Sequence, residues 1–154
     1  FTKNFLSDCA DNALSLLEPK LVEKNILIER KHWDRRVETK IDVHLMEQAV
    51  YGLLSNALDA SPDNAKIVLS MEMQGEGVSL SIEDQGEGIP IGATKKGLFP
   101  GPTTKSGGSG LGIPFAYKVC ELHEGKLQFS KSKLDGTEVT IWVPLKGLNR
   151  NSRD

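Results

Sequence analysis

Three groups of residues in this chain have the types and spacing for chemistry on a flat, charged ligand. The first is Asp84 with Gly86 and Gly88, in the run IEDQGEGIP. Strand parity puts Asp84 on the same face as Val78, Leu80 and Ile82, so its carboxylate should point inward at the end of a strand. A buried carboxylate needs donors. The exocyclic amine of adenine is one that it can accept while the ring lies among apolar side chains. Gly86 and Gly88 permit a sharp turn and close approach of backbone to such a ring. Taken alone, DxGxG is a weak signal, because Asp84 could simply open a turn.

The second group is GGSGLGI, ending at Ile113, which opens a helix. Exposed N–H groups and the positive end of a helix dipole make a phosphate site there, although a flexible loop before a helix would carry the same residues. Just upstream, Thr103, Thr104 and Lys105 offer two hydroxyls and a cation. The third group is Asn56, with Gly52 one turn before it and Asp59 one turn after it on the same helix face. Its amide oxygen suits Mg²⁺ beside phosphates, and a solvated helix face would also accept it. Thr137 adds a second polar group on a core-facing row, sharing parity with Val139, Ile141 and Val143. The combination of helix Asn, inward strand Asp, glycine turn, threonine-rich loop and glycine-led helix, in that order, points to a nucleotide pocket.

The elements that must position these residues follow from periodicity. Residues 5 to 24 have helical spacing, with Leu6, Cys9, Ala13, Leu16 and Leu17 on one stripe and Pro19 expected to kink or restart the helix. ILIERKHW and VETKI read as two short strands joined by a polar turn around Asp34. Asp42 is an N-cap for a second helix in which Met46, Ala49, Val50, Leu53 and Ala57 keep the period up to Ser61 and Pro62. From Lys66 the period becomes two. Ile67, Leu69, Met71 and Met73 share a face, a turn passes through Gly75 and Gly77, and Val78, Leu80 and Ile82 return as the second arm of a hairpin.

Between Gly86 and Gly112 the density of glycine and proline predicts a long loop of the kind used as a lid. A third helix is expected from near Gly110 through Phe115, Val119 and Leu122, with Gly125 as its C-cap. KLQFS and TEVTIWVP are the last strands, separated by a turn at Asp135 and Gly136. The order predicts an α+β fold: a two-layer sandwich with three helices on one face of a mixed sheet. Residues 1–146 form one domain in this reading, followed by a polar tail at 147–154.

Composition sets outer limits. The chain has 154 residues, enough for one domain with a core, and a formal net charge of −2, which gives no electrostatic reason to expect nucleic acid. Cys9 and Cys120 are far apart and belong to no CxxC pair, so two reduced core thiols in a cytoplasmic domain are expected rather than a disulfide or zinc site. No apolar run approaches the roughly 20 residues that cross a bilayer, so no membrane contact by this domain is expected.

With these residues in view, the chain resembles the Bergerat-fold ATPases and, within them, the histidine-kinase catalytic domain. MEQAVYGLLSNALDAS is similar to the N box, IEDQGEGIP to the first glycine box, GLFPGPTTK to the F box and GGSGLGIPFAYKVCELHEGKL to the second glycine box. DGTEVTIWVPL resembles the closing strand, so the likeness covers about Asp42 to Leu145. It implies that Asn56 helps hold Mg²⁺, that Asp84 accepts the adenine amine with Thr137 in support, and that Gly86 and Gly88 shape the adenine pocket. It further implies that Thr103, Thr104 and Lys105 belong to the lid, with Asn56 and Lys105 catalytic, and that Gly108, Gly110, Leu111 and Gly112 cradle the phosphates. Asp59, Ala60, Ile89 and Ser109 complete the ATP-contacting set.

The resemblance also implies a function: transfer of the ATP γ-phosphoryl group to a histidine on a separate dimerisation domain, within a two-component system whose response regulator is a further partner. None of His32, His44 and His123 suits the acceptor role, and the segment around His123 matches the family's HGG turn instead. The isolated domain is expected to be monomeric. Two positions depart from the family pattern. Gly52 stands where histidine kinases commonly have Asn and hydrolytic or serine-kinase relatives have Glu, and Asp59 stands where many kinases carry a basic residue. Without a carboxylate at position 52 no general base can activate water there, which opposes a hydrolase. A nucleotide-binding module that has lost catalysis is the main alternative, and Gly52 is its support.

Overall fold

A computed structural model describes residues 1–34, 37–86, 112–132 and 136–145 of the chain. In chain order the elements are β1 (Thr2–Phe5), α1 (Leu6–Lys24), β2 (Leu27–Lys31), β3 (Glu38–Ile41), α2 (Val43–Ala60), β4 (Lys66–Gln74), β5 (Gly77–Glu83), α3 (Gly112–Leu122), β6 (Lys126–Lys131) and β7 (Thr137–Pro144). Five strands form one sheet in the order β2-β4-β5-β7-β6. β2 runs parallel to β4, and the other neighbours are antiparallel, so the sheet is mixed. The fold is the expected α+β arrangement.

One face of the sheet carries the core. Ile67, Leu69 and Met71 of β4, Val78, Leu80 and Ile82 of β5, and Val139, Ile141 and Val143 of β7 are buried together with the apolar stripes of the helices. Helix α2 forms because Met46, Ala49, Val50, Leu53, Leu54, Ala57 and Leu58 recur at helical spacing and bury one side. Asp42 caps it, its Oδ1 accepting the Leu45 N–H at 3.1 Å. It stops at Ser61, in extended backbone before Pro62, a residue type that disfavours helix in its predecessor.

Several local expectations need correction. β2 and β3 do not pair with each other. β3 pairs antiparallel with β1, a four-residue strand with no hydrophobic period to reveal it, while β2 joins the large sheet beside β4. The chain between them turns through His32 at φ 61. β2 is fastened to α1 by Asp11, which accepts from Arg30 Nε at 3.0 Å and from Trp33 Nε1 at 3.1 Å. The small sheet is tied on separately, through Thr39 Oγ1 donating to the Pro144 carbonyl at 3.0 Å.

Pro19 does not interrupt α1, which runs from Leu6 to Lys24. The bond that proline forfeits would have ended on the carbonyl of Ser15, an exposed residue, so water can take its place. Leu16 is exposed rather than part of the buried stripe, and Met73 is exposed although it shares a face with Ile67, Leu69 and Met71. At the end of α3 the left-handed residue is Glu124, at φ 59, and not Gly125. The Glu124 N–H bonds the Glu121 carbonyl and the Gly125 N–H bonds the Cys120 carbonyl at 2.8 Å, a Schellman ending. Gly125 is required for another reason: a Cβ there would stand 2.1 Å from the Trp142 carbonyl oxygen.

Cys9 and Cys120 are buried and free, as expected of core thiols. Burial pushes both thiols up to about 12, with Glu47 and Asp8 adding to the effect at Cys9. At pH 8 only about one such thiol in ten thousand is ionised. Neither should therefore react with a disulfide reagent in the native domain within minutes, and both should react once it is unfolded. The folded state holds these protons more tightly than the unfolded one, so stability is fully supported below the ordinary value of 9.0 and falls as pH rises from there toward 12. Rapid native labelling at pH 8 would contradict the packing described.

Candidate nucleotide site

The site is assembled where β5 ends and β7 begins, beside the last turn of α2. β5 continues past Glu83 into Asp84, whose N–H bonds the Thr137 carbonyl at 2.9 Å and extends the β5–β7 ladder by one residue. The Asp84 side chain is on the core face, as parity predicts, and the residue is 6% exposed. Its Oδ1 accepts the N–H of Gly86 at 2.8 Å and that of Thr137 at 3.2 Å. Two main-chain donors from different segments thus orient one carboxylate in a buried place, where an ionised group must have such partners. Thr137, itself 7% exposed, gives this support through its backbone.

Two glycines make the geometry possible. A Cβ on Gly86 would lie 2.6 Å from the Ala60 Cβ and 2.7 Å from the Ala60 carbonyl oxygen, so the turn after Asp84 rests directly on the end of α2. A Cβ on Gly136 would lie 2.1 Å from the Asp84 carbonyl oxygen and 2.6 Å from Oδ1. The flanking residue Gln85 is also fixed, its Oε1 accepting the Lys66 N–H at 2.6 Å. Gly136 was not singled out by sequence, because Asp-Gly before a strand reads as an ordinary turn. Only the three-dimensional approach of β7 to Asp84 reveals its part.

Gly86→Ala is expected to push the Asp84 turn away from α2 and weaken ligand binding several-fold, about 1 kcal/mol, with the fold retained. Comparing dissociation constants of parent and variant for an adenine nucleotide checks this, and an unchanged constant would show that the contact with Ala60 can relax harmlessly.

Asn56, Asp59 and Ala60 occupy the last turns of α2, half-buried, and Gly52 lies one turn earlier, also half-buried. The end of α2 is held by Lys24, whose Nζ donates to the carbonyls of Leu58 at 2.7 Å and Ser61 at 2.5 Å. A cation on these carbonyls also suits the negative end of the helix dipole. Sequence reading missed this lysine, since nothing in α1 marks one surface lysine from another. Gly112 is the first residue of α3. Gly88, Ile89, Thr103, Thr104, Lys105, Gly108, Ser109, Gly110 and Leu111 lie outside the described residues, as does the expected boundary between residues 146 and 147.

A flat ring presented edge-on would meet the Asp84 carboxylate, whose place is fixed by the close packing of Gly86 on Ala60 and of Gly136 on Asp84. The exocyclic amine of adenine is a donor of the kind a carboxylate accepts. Among the described residues no group of three or more His, Cys, Asp or Glu side chains could hold a metal on its own. An Mg²⁺ bound by Asn56 would share oxygens with the phosphates, as is usual for that ion. Of the histidines, His44 is exposed in the first turn of α2, and His123 is buried with both ring nitrogens in hydrogen bonds.

Comparison with known proteins agrees with the fold. A family model for histidine kinase-, DNA gyrase B- and HSP90-like ATPases matches residues 41–147. The sensor histidine kinase SpaK of Bacillus subtilis is 30% identical over 128 residues, which cover 80% of this chain and 28% of SpaK, so the chain spans little more than a quarter of that kinase. The nucleotide-free catalytic domain of histidine kinase ThkA superposes with a TM-score of 0.80 at 29% identity, covering 94% of this chain and 95% of that domain. A crystal structure of ThkA in complex with response regulator protein TrrA shows the same fold, with a TM-score of 0.80 at 23% identity over 94% of this chain and 42% of ThkA. The chain belongs to the histidine kinase-, DNA gyrase B- and HSP90-like ATPase family and has the fold of a histidine-kinase catalytic domain.

Proposed function

We propose that this domain binds Mg-ATP and donates its γ-phosphoryl group to a histidine on a separate dimerisation domain, as the catalytic part of a two-component sensor kinase. The observation that supports the reading is the buried Asp84 carboxylate, oriented by the N–H groups of Gly86 and Thr137 and closely flanked by the glycines Gly86 and Gly136. Asp84 accepts the adenine amine and fixes the nucleotide's orientation. Asn56, on the helix that Gly86 rests upon, supplies an amide oxygen to Mg²⁺, which neutralises phosphate charge when bound. Thr103, Thr104, Lys105 and the glycines Gly108, Gly110 and Gly112 serve the phosphate end.

Phosphoryl transfer depends chiefly on positioning and charge neutralisation. A histidine acceptor is nucleophilic when neutral and asks no general base of this domain, which suits Gly52. ThkA forms a complex with response regulator protein TrrA, and a response regulator is the further partner in this reading. A second reading, a nucleotide-binding module without catalysis, draws on Gly52 in a place where relatives carry a side chain near the metal.

The test is incubation of the domain with γ-labelled ATP and the dimerisation domain of its parent protein. Acid-labile label on the acceptor, with slow phosphate release, is the expected result. Nucleotide binding without transfer would favour the second reading, and rapid phosphate release without label would point to a hydrolase.

A further inference from the structure

The geometry points to His123 as a positioning residue: it pins the end of α3 to the start of α2, and so sets the axial register of the two helices that hold phosphate and metal. This rests on the function proposed above. His123 is 6% exposed and packs against Phe1, with ring centroids 4.5 Å apart and the planes tilted by 37°. Its Nε2 accepts the main-chain N–H of Asp42 at 3.0 Å. Its Nδ1 lies 2.7 Å from the Val119 carbonyl oxygen, which can only accept, so Nδ1 carries the proton. One ring nitrogen is therefore bonded to its own helix and the other to the neighbouring one.

The position of this joint gives it leverage. α2 and α3 pack together, and the start of the first meets the end of the second, so they run in opposite directions. At 1.5 Å per residue Asn56 lies about 21 Å along α2 from Asp42, and Gly112 about 16 Å along α3 from His123. A helix is stiff along its axis, so a slip at the joint reaches Asn56 and Gly112 almost undiminished. The adenine side hangs on different supports: Asp84, Gly136 and Thr137 on the sheet, and Gly86 on the end of α2. The joint should therefore govern the metal-linked phosphate half of the site first and reach the adenine half only through the contact of Gly86 with Ala60, since the bonds that hold Asp84 to Thr137 do not pass through α2.

Two substitutions divide the ring's functions. In His123→Gln the amide oxygen can reach the place of Nε2 and accept from Asp42. In His123→Asn the amide nitrogen reaches only the place of Nδ1 and keeps the bond within α3. The affinity of the folded proteins for ADP is measured with and without Mg²⁺. Without the metal, all three should bind within about twofold of one another, because the sheet holds Asp84 and Thr137. The gain in affinity on adding Mg²⁺ should fall about fivefold in the asparagine variant, the worth of one hydrogen bond, and persist in the glutamine variant. A merely structural role would lower both affinities together, and that result, or an asparagine variant with its Mg²⁺ gain intact, would overturn the inference. A parent that binds no ADP would remove the nucleotide reading itself.

Should the asparagine variant not fold, hydrogen exchange at the Asp42 amide of the parent decides the matter. Mg-ADP should slow it more than ADP alone, and equal protection would refute the joint's role.

Discussion

Gly136→Ala should depress nucleotide affinity at least tenfold, about 1.4 kcal/mol, without removing any group that touches the ligand. The added methyl would stand 2.1 Å from the Asp84 carbonyl oxygen and 2.6 Å from Oδ1, well inside any real contact. Neither neighbour can give way cheaply. The Asp84 N–H is bonded to the Thr137 carbonyl, and Oδ1 is bonded to the N–H groups of Thr137 and Gly86. Relief therefore means withdrawing β7 from β5 at the site or turning the carboxylate away. Overpacking of this kind costs about 1 to 3 kcal/mol of stability as well. Titration calorimetry beside thermal unfolding measures both, and parental affinity in this variant would show that Asp84 is not held where the bonds place it.

Leu80→Ala should be the most destabilising of the substitutions considered, at about 2 to 5 kcal/mol, because it empties the middle of the core. Leu80 is 0% exposed on the central strand β5, opposite Met71 of β4 on one side and Ile141 of β7 on the other, both buried. The surrounding strands are fixed by ladder hydrogen bonds and cannot close the gap. For a domain of this size each kcal/mol lowers the melting temperature by about 2 to 4 °C. Met73→Ala is the control, since Met73 lies on the same face of β4 but is exposed, and its loss should stay within about 0.5 kcal/mol. Denaturant midpoints for the two variants check the contrast, and similar losses would mean that the core reaches further along β4 than described.

What the sequence made legible follows from how local each signal is. α2 declares itself through a helical period from Met46 to Leu58, an Asp cap and a closing proline, all within one segment. The inward aim of Asp84 could be read from Val78, Leu80 and Ile82, because side-chain alternation holds rigidly along a strand. The pairing of β1 with β3 could not, because TKNF has no period and its partner lies far along the chain. Lys24 and Gly136 were hidden for the same reason: their roles exist only where α1 meets the end of α2 and where β7 meets Asp84. Glu124 in a left-handed conformation shows a different limit. Gly125, beside it, carried the usual helix-end signal but was needed for its closeness to Trp142.

The central claim is that Asp84 holds an adenine nucleotide, and calorimetric titration of Mg-ADP into the parent domain and into Asp84→Asn tests it most directly. Asparagine keeps the size and the acceptor oxygen for Gly86 and Thr137 but removes the charge and presents an amide where the adenine amine must donate. Binding by the parent that falls at least tenfold in the variant, about 1.4 kcal/mol, is the predicted result. No binding by a folded parent, or equal binding by both proteins, would contradict the claim.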